Sequence, residues 1–484
     1  MAMKNTDWRP TGGGPGDTPV SAEREGGDLS PGSHPSLEGM HGTVAVPPHG
    51  AGFWRQWRAF VGPALLVSVG YMDPGNWGTD LQGGAQFKYG LLWVVGLASL
   101  MAIFMQVISA RLGVVTGKDL AQCCRDWYPR WTRWPNWLLC ELAIGACDLA
   151  EVLGSAVALN LLFHIPLLWA VMITGLDVLL LLGLQRFGMR TIEAVVLVLV
   201  MTIGVCYFIE IFVLPQTQPS FHEMGRALIS PGFRQVGMIY VAIGIIGATV
   251  MPHNLYLHSA LVQSRQLQKD EPSVRQAVRF NTIDSTVALI IAFFVNAAIL
   301  VLAAMVFYGK ESITVAGGQV VRFTGESDWI RVAYLTLAPL LGAAGASTLF
   351  AVALLASGQS STITGTLAGQ VVMEGFMHWR IKPWVRRLIT RTLAILPAVF
   401  VIGIRGDSSV TDLLTLSQVV LALQLPFAMF PLLQFTSSRA RMGAWKNGWF
   451  LMMTGWGSAL LITVLDVYGL PDSLKAAWHV IVGG

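Results

Sequence analysis

The chain has 484 residues, of which 54% are hydrophobic and 12% charged, whereas soluble domains contain about 25% charged residues. Apolar stretches long enough to cross about 30 Å of hydrocarbon as helices recur from Phe60 to Val467, which excludes a soluble globular protein. The net charge of +4 is distributed along the chain as membrane topology requires, so it does not indicate a nucleic-acid partner.

The first 52 residues are rich in Gly, Pro, Ser and acidic residues and contain no apolar stretch. A signal peptide needs such a stretch, so we do not expect a cleaved one. The composition is typical of disorder, and we expect residues 1–52 to form a disordered cytoplasmic tail. The five cysteines lack the spacing of zinc ligands and are interpreted as packing residues.

Eleven apolar stretches follow the tail, each bounded by polar or turn-forming residues. Their lengths predict helices that cross the membrane, although residues 356–376 are ambiguous between helix and loop. The predicted spans are 60–84, 91–112, 137–162, 165–184, 191–214, 235–262, 283–308, 329–358, 388–404, 411–435 and 447–468.

The Lys and Arg residues give the orientation of these spans. With the N-terminus in the cytoplasm, 24 of them lie on the cytoplasmic side and 8 lie outside. Cytoplasmic loops carry the excess of positive residues in membrane proteins. We therefore expect an odd number of spans in the inner (plasma) membrane, with the N-terminus in the cytoplasm and the C-terminus outside.

The first and sixth spans are interrupted at matching places, DPGN at 73–76 and MPHN at 251–254. Proline inside a helix removes an amide donor and clashes with the preceding turn, so we expect unwound backbone at both places. Because the breaks are five spans apart, the two helices run in opposite directions, as in inverted repeats with discontinuous helices. The sequence therefore predicts a five-helix repeat over 53–214, an inverted repeat over 215–435, and an eleventh helix within 436–484.

The two breaks supply oxygen and sulfur ligands for a metal ion. The first offers the Asp73 carboxylate and the Asn76 amide oxygen, and the second offers the Met251 sulfur and a free carbonyl one turn earlier, at Ala248. A carboxylate inside a membrane is costly unless it meets a cation. A thioether favours Mn²⁺, Fe²⁺, Co²⁺ or Cd²⁺ over Ca²⁺ and Mg²⁺. For a single broken helix, the alternative is a proline kink with a methionine that only fills space between helices. This alternative explains two matching breaks poorly.

The third span carries Glu141, Asp148 and Glu151 at intervals that place all three on one helical face. Such a row is costly in a membrane and is explained if protons pass along it. A structural row of ion pairs explains it equally well, and both can hold together. The partners in that row would be the arginines at the start of the ninth span, Arg386, Arg387 or Arg391.

His253 and His258 follow the second break. A neutral histidine beside a metal-binding carboxylate can take up a proton near physiological pH. Intramembrane histidines also serve as hydrogen-bond donors between helices, so a place in a proton pathway and a structural role both stay open.

At these residues the chain resembles the natural-resistance-associated macrophage protein family, and most closely its bacterial proton-dependent manganese transporters. The resemblance rests on three motifs in the correct order. They are DPGN at 73–76, GATVMPHN at 247–254 with LHS at 257–259, and ASGQSSTITGTLAGQVVMEGF at 356–376. The resemblance covers about residues 55–470.

The resemblance implies an all-α, LeuT-like fold of two inverted five-helix repeats plus one extra helix. It implies metal contacts from Asp73, Asn76, the Ala248 carbonyl and the Met251 sulfur. It adds Gln418 as a ligand in an occluded state, although a buried amide bonded to a neighbouring helix fits the sequence equally well. Gln106 resembles a gate position of the family. Proton transfer is implied for Asp148 and Glu151, with Arg386 and Arg387 as their basic partners.

We expect a proton-coupled importer of divalent transition-metal ions, manganese first, that acts as a monomer and needs no resident cofactor. A sodium-coupled symporter of organic solutes would need a glycine-rich break that binds a carboxylate, and it would have no use for Met251. A passive metal channel shares the ligands, but an imposed pH gradient would not drive uphill uptake through it. An intramembrane enzyme is disfavoured, since the sequence has no HExxH pair, Gly-x-Ser-x-Gly turn or Walker loop.

Overall fold

A computed structural model of the chain is helical almost throughout. It describes residues 36–48, 51–176, 189–209, 219–235, 237–268, 270–310, 312–314, 320–322, 329–333, 345–406 and 410–482.

We name the helices of this part of the chain α1 to α17 in order. They are Phe53–Phe60, Pro63–Gly70, Pro74–Phe87, Leu92–Thr116, Leu120–Trp127, Arg133–Phe163, Leu167–Thr174, Met189–Phe208, Phe221–Ile229, Met238–Val250, Pro252–Leu261, Glu271–Val306, Ala346–Met377, Pro383–Arg405, Val410–Thr436, Arg439–Met442 and Trp449–Val482. Between α12 and α13 lies one antiparallel hairpin, β1 (Ser312–Thr314) with β2 (Val320–Arg322), in which Ile313 pairs with Val321.

Nine helices of the described chain are long and apolar enough to cross a membrane. The first expected span is not among them because residues 71–73 divide it into α2 and α3, each too short to cross alone, whereas α10 and α11 are separated by one residue and count together. The fourth, 165–184, falls partly on residues outside the described ranges. The multi-pass helical architecture is therefore confirmed, and the number eleven stays a prediction.

Both predicted helix breaks are present. The helix α2 ends at Gly70 and α3 begins at Pro74. The helix α10 ends at Val250 and α11 begins at Pro252, so that Met251 alone separates them. The discontinuous first and sixth helices are therefore confirmed.

The extent of unwinding differs from the expectation. At the first break the non-helical residues are 71–73, and Pro74 to Asn76 form the first turn of α3 instead of unwound backbone. At the second, Pro252 likewise opens a helix. The physical reason is that the first amides of a helix have no partner within it, so proline costs nothing in the first turn.

The ambiguous stretch 356–376 is continuous helix, and the eighth span differs from the expected 329–358 because α13 covers Ala346–Met377. Its small residues serve close packing rather than a loop. A Cβ added at Gly369 would collide with the guanidinium group of Arg386. Glycine therefore leaves room for the Arg386 side chain of α14 against α13.

Part of the tail that we expected to be disordered is folded. Residues 36–48 lie against the rest of the molecule, where Leu37 and Val44 are only 5% and 7% exposed. The Val44 amide donates to the carbonyl of Ser264 at 3.0 Å. The composition of the tail predicts that it cannot form its own core, but it does not predict docking on another surface.

Charged side chains fix the joint between α1 and α2. The guanidinium of Arg265 donates to the carbonyls of Ala59 and Val61 at 3.1 and 2.7 Å, and it pairs with Glu193 at 3.1 Å. The Asp284 carboxylate accepts the first amides of the α2 end at 3.3 and 3.0 Å. The broken first helix is therefore held by hydrogen bonds that free helix ends require.

We expect Arg265→Ala to lower the free energy of unfolding by about 3 to 5 kcal/mol, because it removes the cation beside the buried Glu193. The measurement is the thermal unfolding midpoint of the detergent-solubilised protein. Arg275→Ala is the control, since that arginine is exposed and pairs with exposed Glu271. Equal midpoints for the two variants would contradict the role of Arg265.

Candidate metal centre

Each helix break leaves one backbone carbonyl without its helical partner. Pro252 lacks the N–H that would bond the carbonyl of Ala248, four residues earlier. The carbonyl of Gly70, at the end of α2, accepts the Asp73 amide at 3.3 Å in a tight turn in place of a helical bond. Carbonyls at membrane depth need such partners. These two groups and the residues around them form one buried polar site.

Asp73 is the N-cap of α3. Its Oδ1 accepts the Asn76 amide at 2.8 Å, which satisfies one free N–H of the helix start. The side chain is fully buried, and its Oδ2 has no hydrogen-bond partner among the described residues. A buried, unpaired carboxylate oxygen is a place for a cation.

The Asn76 side chain joins the two breaks. Its Nδ2 donates to Asp73 Oδ1 at 2.8 Å and to the Ala248 carbonyl at 3.1 Å. Its Oδ1 accepts from Asn296 at 3.2 Å. The NH₂ group therefore lies between two oxygens that a cation would also bridge. A half-turn of this amide about its terminal bond would present the oxygen to such an ion.

Met251 is held in an unusual backbone conformation, with φ 36° and ψ 103°. Positive φ is rare for a residue with a side chain and persists where the surroundings impose it. The sulfur accepts from Asn254 Nδ2 at 3.3 Å, and a Cβ added at Gly70 would lie 3.1 Å from it. Glycine at position 70 therefore lets the thioether approach the first break.

Gln418 of α15 reaches the same place. It is fully buried, and its Oε1 has no hydrogen-bond partner in the described chain. A Cβ added at Gly75 would lie 2.0 Å from its Nε2, so the amide lies against the start of α3. The five sequence-predicted metal contacts therefore lie at the two breaks or against them. No group of three or more His, Cys, Asp or Glu side chains that could hold a metal ion occurs in the described ranges.

Gln106 connects this centre to its surroundings. Its Nε2 donates to the Tyr71 hydroxyl at 2.7 Å, and its Oε1 lies 2.9 Å from His258 Nδ1. The Tyr71 hydroxyl in turn donates to the carbonyl of Val250 at 3.4 Å. The predicted gate residue thus links the second span to both breaks, and His258 belongs to this hydrogen-bond chain.

The predicted carboxylates are paired with arginines of α14. Arg387 contacts Asp148 and donates to Glu151 at 3.2 Å, and Arg391 lies 3.7 Å from Glu151. Arg386 pairs with Glu141 at 2.8 Å. These pairs are the structural row of ions that the spacing allows.

His253 lies apart from this row of pairs. It is 2% exposed, and its Nδ1 has no hydrogen-bond partner among the described residues. His253 is the second residue of α11 and follows the Met251–Pro252 break directly.

Sequence reasoning missed several contributors. Asn296 donates to the Tyr71 carbonyl at 2.8 Å as well as to Asn76, and a lone Asn in an apolar run was the only signal for it. Ser361 and Thr362 of α13 donate to Glu151 at 2.9 and 3.1 Å. Both residues lie in the motif at 356–376. Their contact with Glu151 depends on how α13 packs against α6, which the motif does not specify.

Comparison with known proteins shows which family has a similar sequence. A family model described as natural resistance-associated macrophage protein-like matches residues 64–472. The divalent metal cation transporter MntH of Nostoc sp. is 50% identical over 449 residues, 92% of this chain and 97% of the relative. That of Mesorhizobium japonicum is 49% identical over 447 residues, 91% and 94% of the two chains.

Solved structures agree with the fold. The Eremococcus coleocola manganese transporter, in complex with an aromatic bis-isothiourea substituted compound, matches with a TM-score of 0.80 and 40% identity over 91% of each chain. A nucleobase-cation-symport-1 family transporter matches with a TM-score of 0.56 at 13% identity, covering 92% of this chain and 96% of that one, which shows the fold alone. The LeuT-like fold of inverted repeats is confirmed. With a family model matched over most of its length and relatives that share half of its residues, the chain belongs to the natural-resistance-associated macrophage protein family, whose members are transporters and not enzymes.

Proposed function

We propose that the chain imports divalent transition-metal ions, with Mn²⁺ first and Fe²⁺, Co²⁺ and Cd²⁺ as further substrates, together with protons and by alternating access. One observation carries the proposal. Two helix breaks bring a carboxylate, an amide, a freed carbonyl and a thioether to one fully buried place. The metal and the protons are substrates of the cycle, and no resident cofactor is needed.

The ligand types support a transition metal. Asp73, Asn76 and Ala248 offer hard oxygens, and the Met251 sulfur adds a ligand that Mn²⁺, Fe²⁺ and Cd²⁺ accept more readily than Ca²⁺ or Mg²⁺ do. The names of the relatives support the same substrate, since they are a divalent metal cation transporter and a manganese transporter.

Coupling to protons is supported by the carboxylate row beside the site. Asp148 and Glu151 lie within reach of two buried guanidinium groups, and hydroxyls of α13 complete the shell of Glu151. In the proposed cycle His253 passes a proton from the metal site to Asp148 and Glu151, and Glu141 lies at the inner exit. The guanidinium groups of Arg386 and Arg387 balance the negative charge of the carboxylates after the proton has left.

The proposed location is the inner membrane, with the N-terminus in the cytoplasm and the C-terminus outside. The proposed functional unit is a monomer. The distribution of Lys and Arg supports this orientation. The broken helices support alternating access, since half-helices can swing about the breaks while the site stays at mid-membrane.

Asp73→Ala is expected to abolish Mn²⁺ uptake into proteoliposomes, because it removes the single carboxylate of the site. The measurement is uptake of ⁵⁴Mn²⁺ under an inward proton gradient, with the outside of the vesicles more acidic than the inside. Asp126→Ala is the control, since that half-exposed carboxylate pairs with Lys118 away from the site. Wild-type uptake by the Asp73 variant would refute the metal centre.

Met251→Ala is expected to lower the preference for Mn²⁺ over Ca²⁺ by about tenfold or more, the scale on which changes at metal sites act. Competition of Ca²⁺ and Mg²⁺ against Mn²⁺ uptake measures the preference. Met429→Ala removes the same volume from a fully buried methionine of α15 and should leave the preference unchanged. An unaltered ion preference in the Met251 variant would remove its role as a filter.

Glu151→Gln is expected to separate metal movement from proton movement. The variant should still carry Mn²⁺ down its own gradient, whereas an imposed pH gradient alone should no longer drive accumulation. Glu223→Gln is the control, because that exposed carboxylate pairs with Lys88 outside the row. Full pH-driven accumulation by Glu151→Gln would exclude the residue from the pathway, and a wild-type protein that never accumulates Mn²⁺ would favour a passive channel.

A further inference from the structure

The folded part of the tail, residues 36–48, is bound through its backbone to the connection after α11. The Gly42 amide donates to the Gln263 carbonyl at 3.2 Å, and the Gln266 amide donates to the Val44 carbonyl at 2.9 Å. Val44 forms a parallel bridge with Arg265. We name residues 36–48 the tail segment. Its pairing resembles the addition of one short strand to a peptide edge.

The other end of the tail segment is anchored to α13 and α5. The Leu37 amide donates to Glu374 Oε2 at 2.9 Å, near the end of α13. Leu37 is 5% exposed, and Ser36, which is 1% exposed, lies beside Asp119 at the start of α5. The tail segment therefore spans three elements that are far apart in sequence.

The same surface also holds the end of α1. Arg265 pairs with the tail segment through its backbone, while its side chain donates to the end of α1. Only residues 49–52 separate the tail segment from α1, a length of chain that spans at most about 18 Å. A large displacement of α1 would therefore pull on the docked segment.

We propose that the α5, α13 and α11–α12 surface is a docking site for the chain's own tail segment, and that docking stabilises the state in which the cytoplasmic side is closed. The inference rests on the alternating access and the orientation of the proposed function. In the proposed cycle, opening of that side moves α1 away from Arg265, and the tail segment has to undock or be stretched when α1 leaves. Docking therefore favours the closed state by the free energy of its contacts.

The test is hydrogen exchange of the purified full chain against two truncations. Removal of residues 2–48 is expected to raise the exchange rates of amides in α1 and α2 about tenfold, because one buried leucine and several backbone hydrogen bonds are lost. Removal of residues 2–34, which keeps the tail segment, is the matched control and should leave these rates unchanged. Equal rates in both truncations would overturn the proposal.

Point variants keep the test sharp if the long truncation folds poorly. Leu37→Asp and Glu374→Ala should each raise exchange in α1, while exchange in α4 stays at the wild-type rate. A synthetic peptide of residues 36–48, added to the protein that lacks residues 2–48, should restore protection of α1. No protection at a saturating concentration of peptide, together with unchanged exchange in both point variants, would rule out docking.

The readout separates this inference from the transport proposal, because exchange is measured without metal and without a gradient. If Asp73→Ala transports normally while the exchange results hold, the tail segment still docks and the metal centre is wrong. If Mn²⁺ uptake fails in Asp73→Ala and exchange is insensitive to the tail, the transport proposal stands and docking falls.

Discussion

Satisfaction of backbone polar groups inside a membrane is the constraint on which this molecule depends. Pro252 leaves the carbonyl of Ala248 without its helical partner, and the end of α2 leaves that of Gly70 with the Asp73 amide at 3.3 Å. The Asn76 side chain contacts both carbonyls, since its Nδ2 lies 3.1 Å from Ala248 O and 3.5 Å from Gly70 O. One amide therefore compensates two helix breaks, and Asn296 of α12 fixes its other end at 3.2 Å. The candidate metal centre is the place where this compensation leaves one carboxylate oxygen of Asp73 without a hydrogen-bond partner among the described residues.

The charged row of α6 obeys the same constraint in a different way. Its carboxylates are costly alone, and each is paired with a guanidinium of α14. Removing one partner of a buried pair strongly lowers the free energy of unfolding, because it leaves the other charge without compensation. The members of such a row therefore depend on one another. A row of ion pairs is also a row of proton acceptors whose charge is already balanced. The structural interpretation and the proposed proton pathway therefore use the same contacts, and one does not exclude the other.

The sequence predicted those residues that lie next to a recognisable helix-breaking motif. Asp73 and Met251 flank prolines, so the breaks and the ligands could be located together. Gln418 could be placed only through the family resemblance, because nothing in its own span distinguishes a ligand from a buried amide. Asn296, Ser361 and Thr362 escaped because their roles depend on how helices are rotated against one another. The docking of residues 36–48 escaped because composition describes a segment's ability to fold alone, not the surface that it meets.

The second helix break is one residue long, and that brevity has a consequence for the cycle. Between α10 and α11 the only free torsions belong to Met251, and the same residue carries the sulfur that faces the first break. In the proposed cycle, a reorientation of α11 would therefore rotate the thioether, and an ion bound there would not keep the same coordination in the two states. The residue that allows the helix to turn would also be a ligand, so the affinity for the transported ion would depend on the side to which the site is open.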